Sequence, residues 1–176
     1  MAASPTLVGL RVRLRAPHIG DADTIFAEMA SDPEVTRHLM WAPHSDVGET
    51  RRVIDEIYLG GDNSVWLIEW RATGEFVGVC ESRRPVPHSV ELGYCLSRRW
   101  WGQGIMTEVA RMLIDSARHD PAVYRVWATC HVDNAASARV LENAGMTQEG
   151  RLARYAVLPN LASEPQDCLM YGKAVR

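Results

Sequence analysis

The sequence predicts a mixed α/β domain, and three observations carry that prediction. Stretches with apolar residues at alternate positions (residues 7–15 and 88–96) and short apolar runs (residues 64–70 and 76–82) are interspersed with stretches whose apolar residues recur every three or four, so strand and helix signals are both present. Hydrophobic residues make up 47% and charged residues 23% of a 176-residue chain, a balance that fills one core and excludes a disordered or fibrous class. Between strand 88–96 and the helix after it lies Arg98-Arg99-Trp100-Trp101-Gly102-Gln103-Gly104-Ile105-Met106-Thr107-Glu108, a glycine-bearing joint of the strand–loop–helix kind. One domain over residues 1–176 is the expected organisation.

Residues 7–15 place Leu10, Val12 and Leu14 on one face and Arg11, Arg13 and Arg15 on the other, the pattern of a half-buried strand with a solvated arginine row. Pro17 stops it, and a helix over about 22–31 follows with Ala22, Ile25, Phe26 and Met29 on one stripe, ended by Asp32-Pro33. Residues 35–44 are too polar for a core strand and too apolar for an ordinary exposed loop. Asp46 and Glu49 form a capping pair for a helix to about residue 59, which Gly60-Gly61 closes. Three strands come next, with a tight turn at 72–75 and Pro85 and Pro87 in the second connection. In the third, Val90, Leu92, Tyr94 and Leu96 share one face, leaving Glu91 on the other with Gly93 and Cys95. A carboxylate among small or apolar neighbours needs either a partner or a task, so Glu91 is a general-base candidate or a satisfied structural group. A helix over 104–118, a strand over 124–131 carrying Trp127, a helix from the Asp133-Asn134 cap to Gly145, and strands over 147–158 and 166–174 complete the chain. The 158–165 loop between those last strands is expected to be mobile.

The central joint points to an anion. Two alternate glycines let the backbone approach a ligand closely, and the first amides of the helix after them lack intrahelical acceptors, so phosphate or pyrophosphate suits the loop. A P-loop would end in Gly-Lys-Ser/Thr, and a dinucleotide fingerprint would carry a third glycine three residues after Gly104; Ile105-Met106-Thr107 satisfies neither. The formal charge of -3 argues against a broad nucleic-acid-binding face. Cys80, Cys95, Cys130 and Cys168 make no Cys-x-x-Cys pair, so no metal or redox motif is read and buried thiols of a reducing compartment are expected. No run of some eighteen apolar residues is present, and Met1-Ala-Ala-Ser-Pro5 breaks before any signal core, so a cytoplasmic protein without a membrane partner is expected.

A second segment, Asn134-Ala-Ala-Ser137-Ala-Arg-Val-Leu141-Glu-Asn-Ala-Gly145-Met146, follows the loop, and Val90-Glu91-Leu92-Gly93-Tyr94 precedes it. Together they make the chain resemble, over nearly its whole length, the GCN5-related N-acetyltransferases (GNAT), and within them the RimJ/RimL-like ribosomal-protein N-terminal acetyltransferases. The family's loop reads Gln/Arg-x-x-Gly-x-Gly/Ala. Trp101 stands at the first position, as is usual in that branch, Gly104 matches, and Met106 departs, so its side chain must point away from the ligand.

The resemblance implies a mixed, mostly antiparallel seven-stranded sheet with about four helices and a splayed strand pair holding acetyl-CoA. It implies acetyl-CoA as cofactor, CoA as product, no metal, a primary-amine acceptor (a peptide N-terminus or a small molecule) and, by analogy, a homodimer. Trp101, Gly102, Gln103, Gly104, Ile105, Met106 and Thr107 would hold the pyrophosphate, with Arg98 or Arg99 adding charge. Backbone groups near Leu96 would pair with the pantetheine arm, Asn134 would bind it through its side chain, and Arg139 would reach the 3′-phosphate or water. Many relatives place a tyrosine where Leu141 stands, so Ser137 inherits the role of donor to the departing sulfur. His38, Met40 and Trp41 would wall the acceptor pocket, with Trp66 contributing. Glutamates used as base by relatives fall on Ala128 and Ala156, which leaves Glu91, through a water and with Tyr155. A CoA-binding sensor without turnover is the rival reading.

Overall fold

The computed structural model describes residues 4–176; Met1, Ala2 and Ala3, the start of the segment that breaks before any signal core, lie outside the described residues. Eight strands form one sheet in the order β1-β2-β3-β4-β5-β6-β8-β7. They are β1 (Leu7–Val8), β2 (Val12–Arg15), β3 (Ser64–Trp70), β4 (Phe76–Val86), β5 (Ser89–Leu96), β6 (Arg125–His131), β7 (Thr147–Ala156) and β8 (Gln166–Ala174). Every neighbouring pair is antiparallel except β5 and β6, which run parallel. Five α-helices flank it: α1 (Ala22–Ile25), α2 (Pro33–Thr36), α3 (Val47–Val53), α4 (Ile105–Arg118) and α5 (Ala135–Asn143). α1 and α3 continue as π-helical turns, Phe26–Ala30 and Ile54–Leu59.

The sheet has a core on each face, and its central strands are accordingly buried without a break over residues 65–69 of β3 and 76–80 of β4. Val12, Leu14, Trp66, Ile68, Leu92 and Val126 pack against Ile105, Val109 and Leu113 of α4 and Leu141 of α5. Val65, Leu67, Phe76 and Val79 pack against Ala22, Ile25 and Met29 and against Ile54. Cys80, Cys130 and Cys168 are buried, Cys95 half-buried, and all four are free. Among the described residues no helix is long and apolar enough to cross a membrane.

The eighth strand arises because residues 7–15 fold as a hairpin instead of one strand. Gly9 N–H donates to the Val12 carbonyl at 2.9 Å, and Gly9 lies against α4 where a Cβ would meet Met112 Sδ at 2.6 Å. Leu10 is therefore the 82%-exposed tip of the turn and does not share the buried face of Val12 and Leu14. The arginine row stays partly in solvent and is also ion-paired: Arg11 with Glu108 at 2.8 Å, Arg13 and Arg15 with Glu69 at 2.5 Å each, and Arg15 also with Asp21 at 2.7 Å. The fifth helix is the one-turn α2. Asp32 caps it by accepting the Glu34 N–H at 2.9 Å, and Pro33 takes its first position, so the dipeptide that ends one helix starts another.

Candidate active site

β5 and β6 pair through Ser89↔Arg125, Val90↔Val126 and Glu91↔Trp127 and then separate, while β6 stays paired with β8 as far as His131. A fork opens between them. On its other side β5 remains bonded to β4, with Ser97 N–H donating to the Val77 carbonyl at 2.9 Å next to the Gly78↔Leu96 pair. Antiparallel alternation then turns the Leu92 carbonyl and the main-chain groups of Tyr94 and Leu96 toward the fork. Main-chain groups in such a place need partners, and an extended amide-bearing ligand supplies them. Of Leu96 only the N–H is left for that purpose, because its carbonyl accepts the Trp101 Nε1–H at 3.0 Å.

At the open end of the fork stands the glycine loop. Gly102 and Gly104 have φ of 72° and 70°, in the left-handed region. A Cβ at Gly102 would meet nothing within 4 Å and one at Gly104 only Arg11 Nη2 at 3.9 Å, so the glycines serve backbone conformation and leave the concave side clear. The Glu108 N–H makes the first intrahelical bond of α4, to the Gly104 carbonyl at 3.4 Å, so the N–H groups of Ile105, Met106 and Thr107 come before any intrahelical acceptor. The Ile105 and Met106 side chains are buried in the core, 1% and 4% exposed, which takes the unusual methionine away from the loop's open side. Gln103 Nε2 closes the loop on itself by donating to the Arg99 carbonyl at 2.9 Å.

Two expected phosphate partners are committed elsewhere. Arg98 pairs with Asp32 at 3.1 Å, and Arg99 pairs with Glu28 at 3.0 Å and Glu75 at 3.5 Å while lying over the Trp100 ring. The carboxylates around α1 and the β3–β4 turn outcompete the loop for both guanidinium groups. The cation that does address the loop is Arg11, which donates to the carbonyls of Gln103 (2.8 Å) and Gly104 (3.1 Å). Glu108 accepts both the Arg11 main-chain N–H and its Nε, each at 2.8 Å. In a trans peptide the N–H lies opposite the C=O, so carbonyls turned to Arg11 leave the Gly104 and Ile105 N–H groups facing the other way.

Across the fork, Asn134 caps α5 by accepting the Ser137 N–H at 3.1 Å, which fixes the first turn that carries Ser137. The Ser137 hydroxyl is 2.8 Å from the Tyr94 hydroxyl, so β5 and α5 are bridged beneath the fork. Cys130 is the other neighbour of that serine; burial pushes its thiol up to about 11. Arg139 is exposed on α5.

Residues 11–147 match the acetyltransferase (GNAT) domain family. The chain belongs to the GNAT acetyltransferases. Its relatives include the uncharacterized N-acetyltransferase p20 of Bacillus licheniformis, 30% identical over 85% of this chain and 86% of that one. The L-amino acid N-acetyltransferase AaaT of Escherichia coli is 27% identical over 74% and 80% of the two chains. Among solved structures, RimL, the ribosomal L7/L12 alpha-N-protein acetyltransferase in complex with coenzyme A, superposes with a TM-score of 0.83 at 23% identity over 97% and 98% of the chains. The eight-stranded sheet with its forked β5–β6 pair is thus a GNAT fold.

On the other sheet face of this GNAT domain, the nominated acceptor residues separate. His38 stacks on His131, the buried end of β6, with ring centroids 5.4 Å apart, and burial first, then His131 and Arg37, lower its pKa. Trp41 packs on His44 at 5.0 Å, and Met40 remains 65% exposed. Trp66 does not belong to an acceptor wall: it is 4% exposed in the α4-side core, with Nε1 donating to the Pro5 carbonyl at 2.8 Å. Its even position on β3 turns it to the face opposite Val65 and Leu67.

Glu91 is half-buried and 3.2 Å from Arg83. Burial raises its pKa, Arg83 opposes that, and Glu81 adds to it. Tyr155 lies exposed on the irregular end of β7, where burial and then the Glu91 carboxylate raise its pKa. The 158–165 loop, expected to be mobile, is tied down: Asn160 Nδ2 donates to the carbonyls of Thr36 (2.7 Å) and Trp41 (2.8 Å), and Leu158 is buried. Beside His131 a polar cavity of about 400 Å³ opens, lined also by Asp133, Arg151, Arg154 and Asp167. Among the described residues no three His, Cys, Asp or Glu side chains converge as a metal site.

Arg11, Tyr94 and His131 escaped the sequence reading. The partners of Arg11 and Tyr94 lie 97 and 43 residues away along the chain, so no local pattern marks them.

Proposed function

We propose that this GNAT protein transfers an acetyl group from acetyl-CoA to an α-amine. One observation supports the reading most: beyond the Glu91↔Trp127 pair, the fork at Tyr94 and Leu96 and the first turn of α4 at Ile105 to Thr107 present main-chain N–H groups toward the same opening. That set matches a nucleotide-linked chain with a pyrophosphate at one end and amides along its length. The likeness to the coenzyme A complex of RimL and the family's name agree with it.

Acetyl-CoA, when bound, supplies an acyl group activated as a thioester. Loop amides from Gly102 to Thr107 would hold its pyrophosphate, and Asn134 and the free groups of Tyr94 and Leu96 would orient its arm. N–H groups of β5 aimed into the fork would also polarise the carbonyl. Ser137 would donate a hydrogen bond to the departing sulfur. In the net change a C–N bond forms, the C–S bond breaks with its electron pair on sulfur, the ammonium proton leaves through water toward Glu91, and the thiolate, steadied by the Ser137 hydrogen bond while serine keeps its proton, is protonated from solvent on release.

The acceptor assignment follows from the weakness of a carboxylate as a base. Burial raises the Glu91 pKa, but its carboxylate remains paired with Arg83 at 3.2 Å. A lysine amine with a pKa near 10.4 is neutral in about one molecule per thousand at pH 7.4, whereas an α-amine near 7.8 is neutral in roughly a quarter. An α-amine therefore suits this site. A peptide N-terminus, as in the RimJ/RimL-like branch, and a free amino acid both present one. The Asn160 tether, which holds the 158–165 loop against the α2–α3 connection, favours the free amino acid, and so does the likeness to AaaT.

The test is CoA thiol release with three acceptor sets: amino acids, N-terminal peptides and polyamines. Turnover of amino acids above peptides supports the small α-amine, and turnover of peptides alone moves the protein to the RimJ/RimL-like reading. Turnover confined to polyamines rejects the α-amine argument, and silence across all three with CoA still bound leaves a sensor.

A further inference from the structure

We infer that Tyr94 is a positioning residue whose phenolic hydroxyl holds the Ser137 hydroxyl and so aims the serine proton at the sulfur leaving the thioester. The inference rests on the reading of Ser137 as donor to that sulfur. Its structural basis is the 2.8 Å contact between two oxygens that come from opposite sides of the fork, one on β5 and one on α5. Neither partner is free to drift. The Tyr94 ring packs against the α4-side core, and the Ser137 main chain is fixed by the Asn134 cap.

The donor count is the same for both oxygens, so direction follows from the partners each one has. A serine hydroxyl has one proton and two lone pairs, and so does a phenol, so one of the two must donate across the contact. Among the described residues the Tyr94 oxygen has Ser137 as its hydrogen-bond partner. Burial raises the phenol above its ordinary value, against the opposing hydrogen bond from Ser137, so it keeps its proton. Tyr94 donating to Ser137 leaves the serine proton for a third atom. Without the tyrosine, a serine in the first turn of a helix can turn its hydroxyl to local main-chain acceptors instead. Tyr94 forms and breaks no covalent bond in this scheme. The proton it donates in a hydrogen bond stays on its own oxygen while the C–S bond breaks and Ser137 serves the sulfur.

The experiment is a double-mutant cycle on kcat and on KM for acetyl-CoA, using Tyr94→Phe, Ser137→Ala and the pair, with the acceptor found by the thiol-release screen. Ser137→Ala should lower kcat by about 100-fold, the lower end of what a positioned proton donor contributes. Tyr94→Phe keeps the ring and its packing and should lower kcat about five-fold, the weight of one hydrogen bond, with KM for acetyl-CoA unchanged. In the Ser137→Ala background, Tyr94→Phe should cost nothing further. A second five-fold loss in that background overturns the inference, because Tyr94 would then act through packing, and so would a rise in KM with kcat intact. If Ser137→Ala leaves kcat at the parent value, the reading of Ser137 fails first, and the inference falls with it for that separate reason.

Discussion

Replacing Arg11 with methionine tests whether the cofactor loop is held in shape from behind. Met keeps the length of the side chain but removes the bonds to the Gln103 and Gly104 carbonyls, at 2.8 and 3.1 Å, and the Nε bond to Glu108 at 2.8 Å. The main-chain N–H of residue 11 still serves Glu108. The pair is partly solvated, with side chains 37% and 16% exposed, so water screens much of what a buried pair would contribute. Three charge-assisted bonds, discounted in this way, place the stability loss on the order of 1–2 kcal/mol. The loop loses both carbonyl anchors, and its amides must then be ordered by the ligand. An ordering cost on the order of 1.4 kcal/mol raises the CoA dissociation constant about ten-fold. Titration calorimetry with CoA, read beside a thermal melt, separates the two effects. A dissociation constant within two-fold of the parent, together with a lowered melting temperature, would refute the reasoning and confine Arg11 to holding the β1–β2 hairpin.

Two further outcomes are expected. Gly104→Ala puts a Cβ where the nearest atom is 3.9 Å away, so its whole cost is the left-handed φ of 70°, about 1–2 kcal/mol, and it should weaken CoA while leaving circular dichroism unchanged; full CoA affinity would show that the loop does not need that conformation. In pH profiles of kcat/KM, Glu91 must be ionised to take a proton, so activity should fall as pH drops through its raised pKa. Glu81→Gln removes a charge that raises it and should move the acid limb to lower pH, whereas Arg83→Met removes one that lowers it and should move the limb to higher pH; a limb that ignores both variants excludes Glu91 as the base.

Local pattern reached far into this protein. The apolar run of β3, the alternation of β5, the Asp46 and Asn134 caps and the two glycines ahead of α4 are decided by neighbours a few residues apart, and each is found where the pattern places it. Where pattern misled, a distant partner was the reason. Leu10 alternates correctly, yet Gly9 has to turn beneath Met112 of α4. Trp66 looked available as an aromatic wall, but the parity of its strand puts it under α4.

What the sequence by itself determined is the set of elements and the chemical kind of the loop, because helix period, turn residues and caps act over a few residues and through main-chain geometry. Tertiary structure alone decided which charges meet. It gave Arg98 and Arg99 to the carboxylates around α1 and the β3–β4 turn, Arg11 to the loop, and Tyr94 to Ser137. Side chains of one type compete for partners through space, and the winner is set by distances that exist only once the sheet has formed.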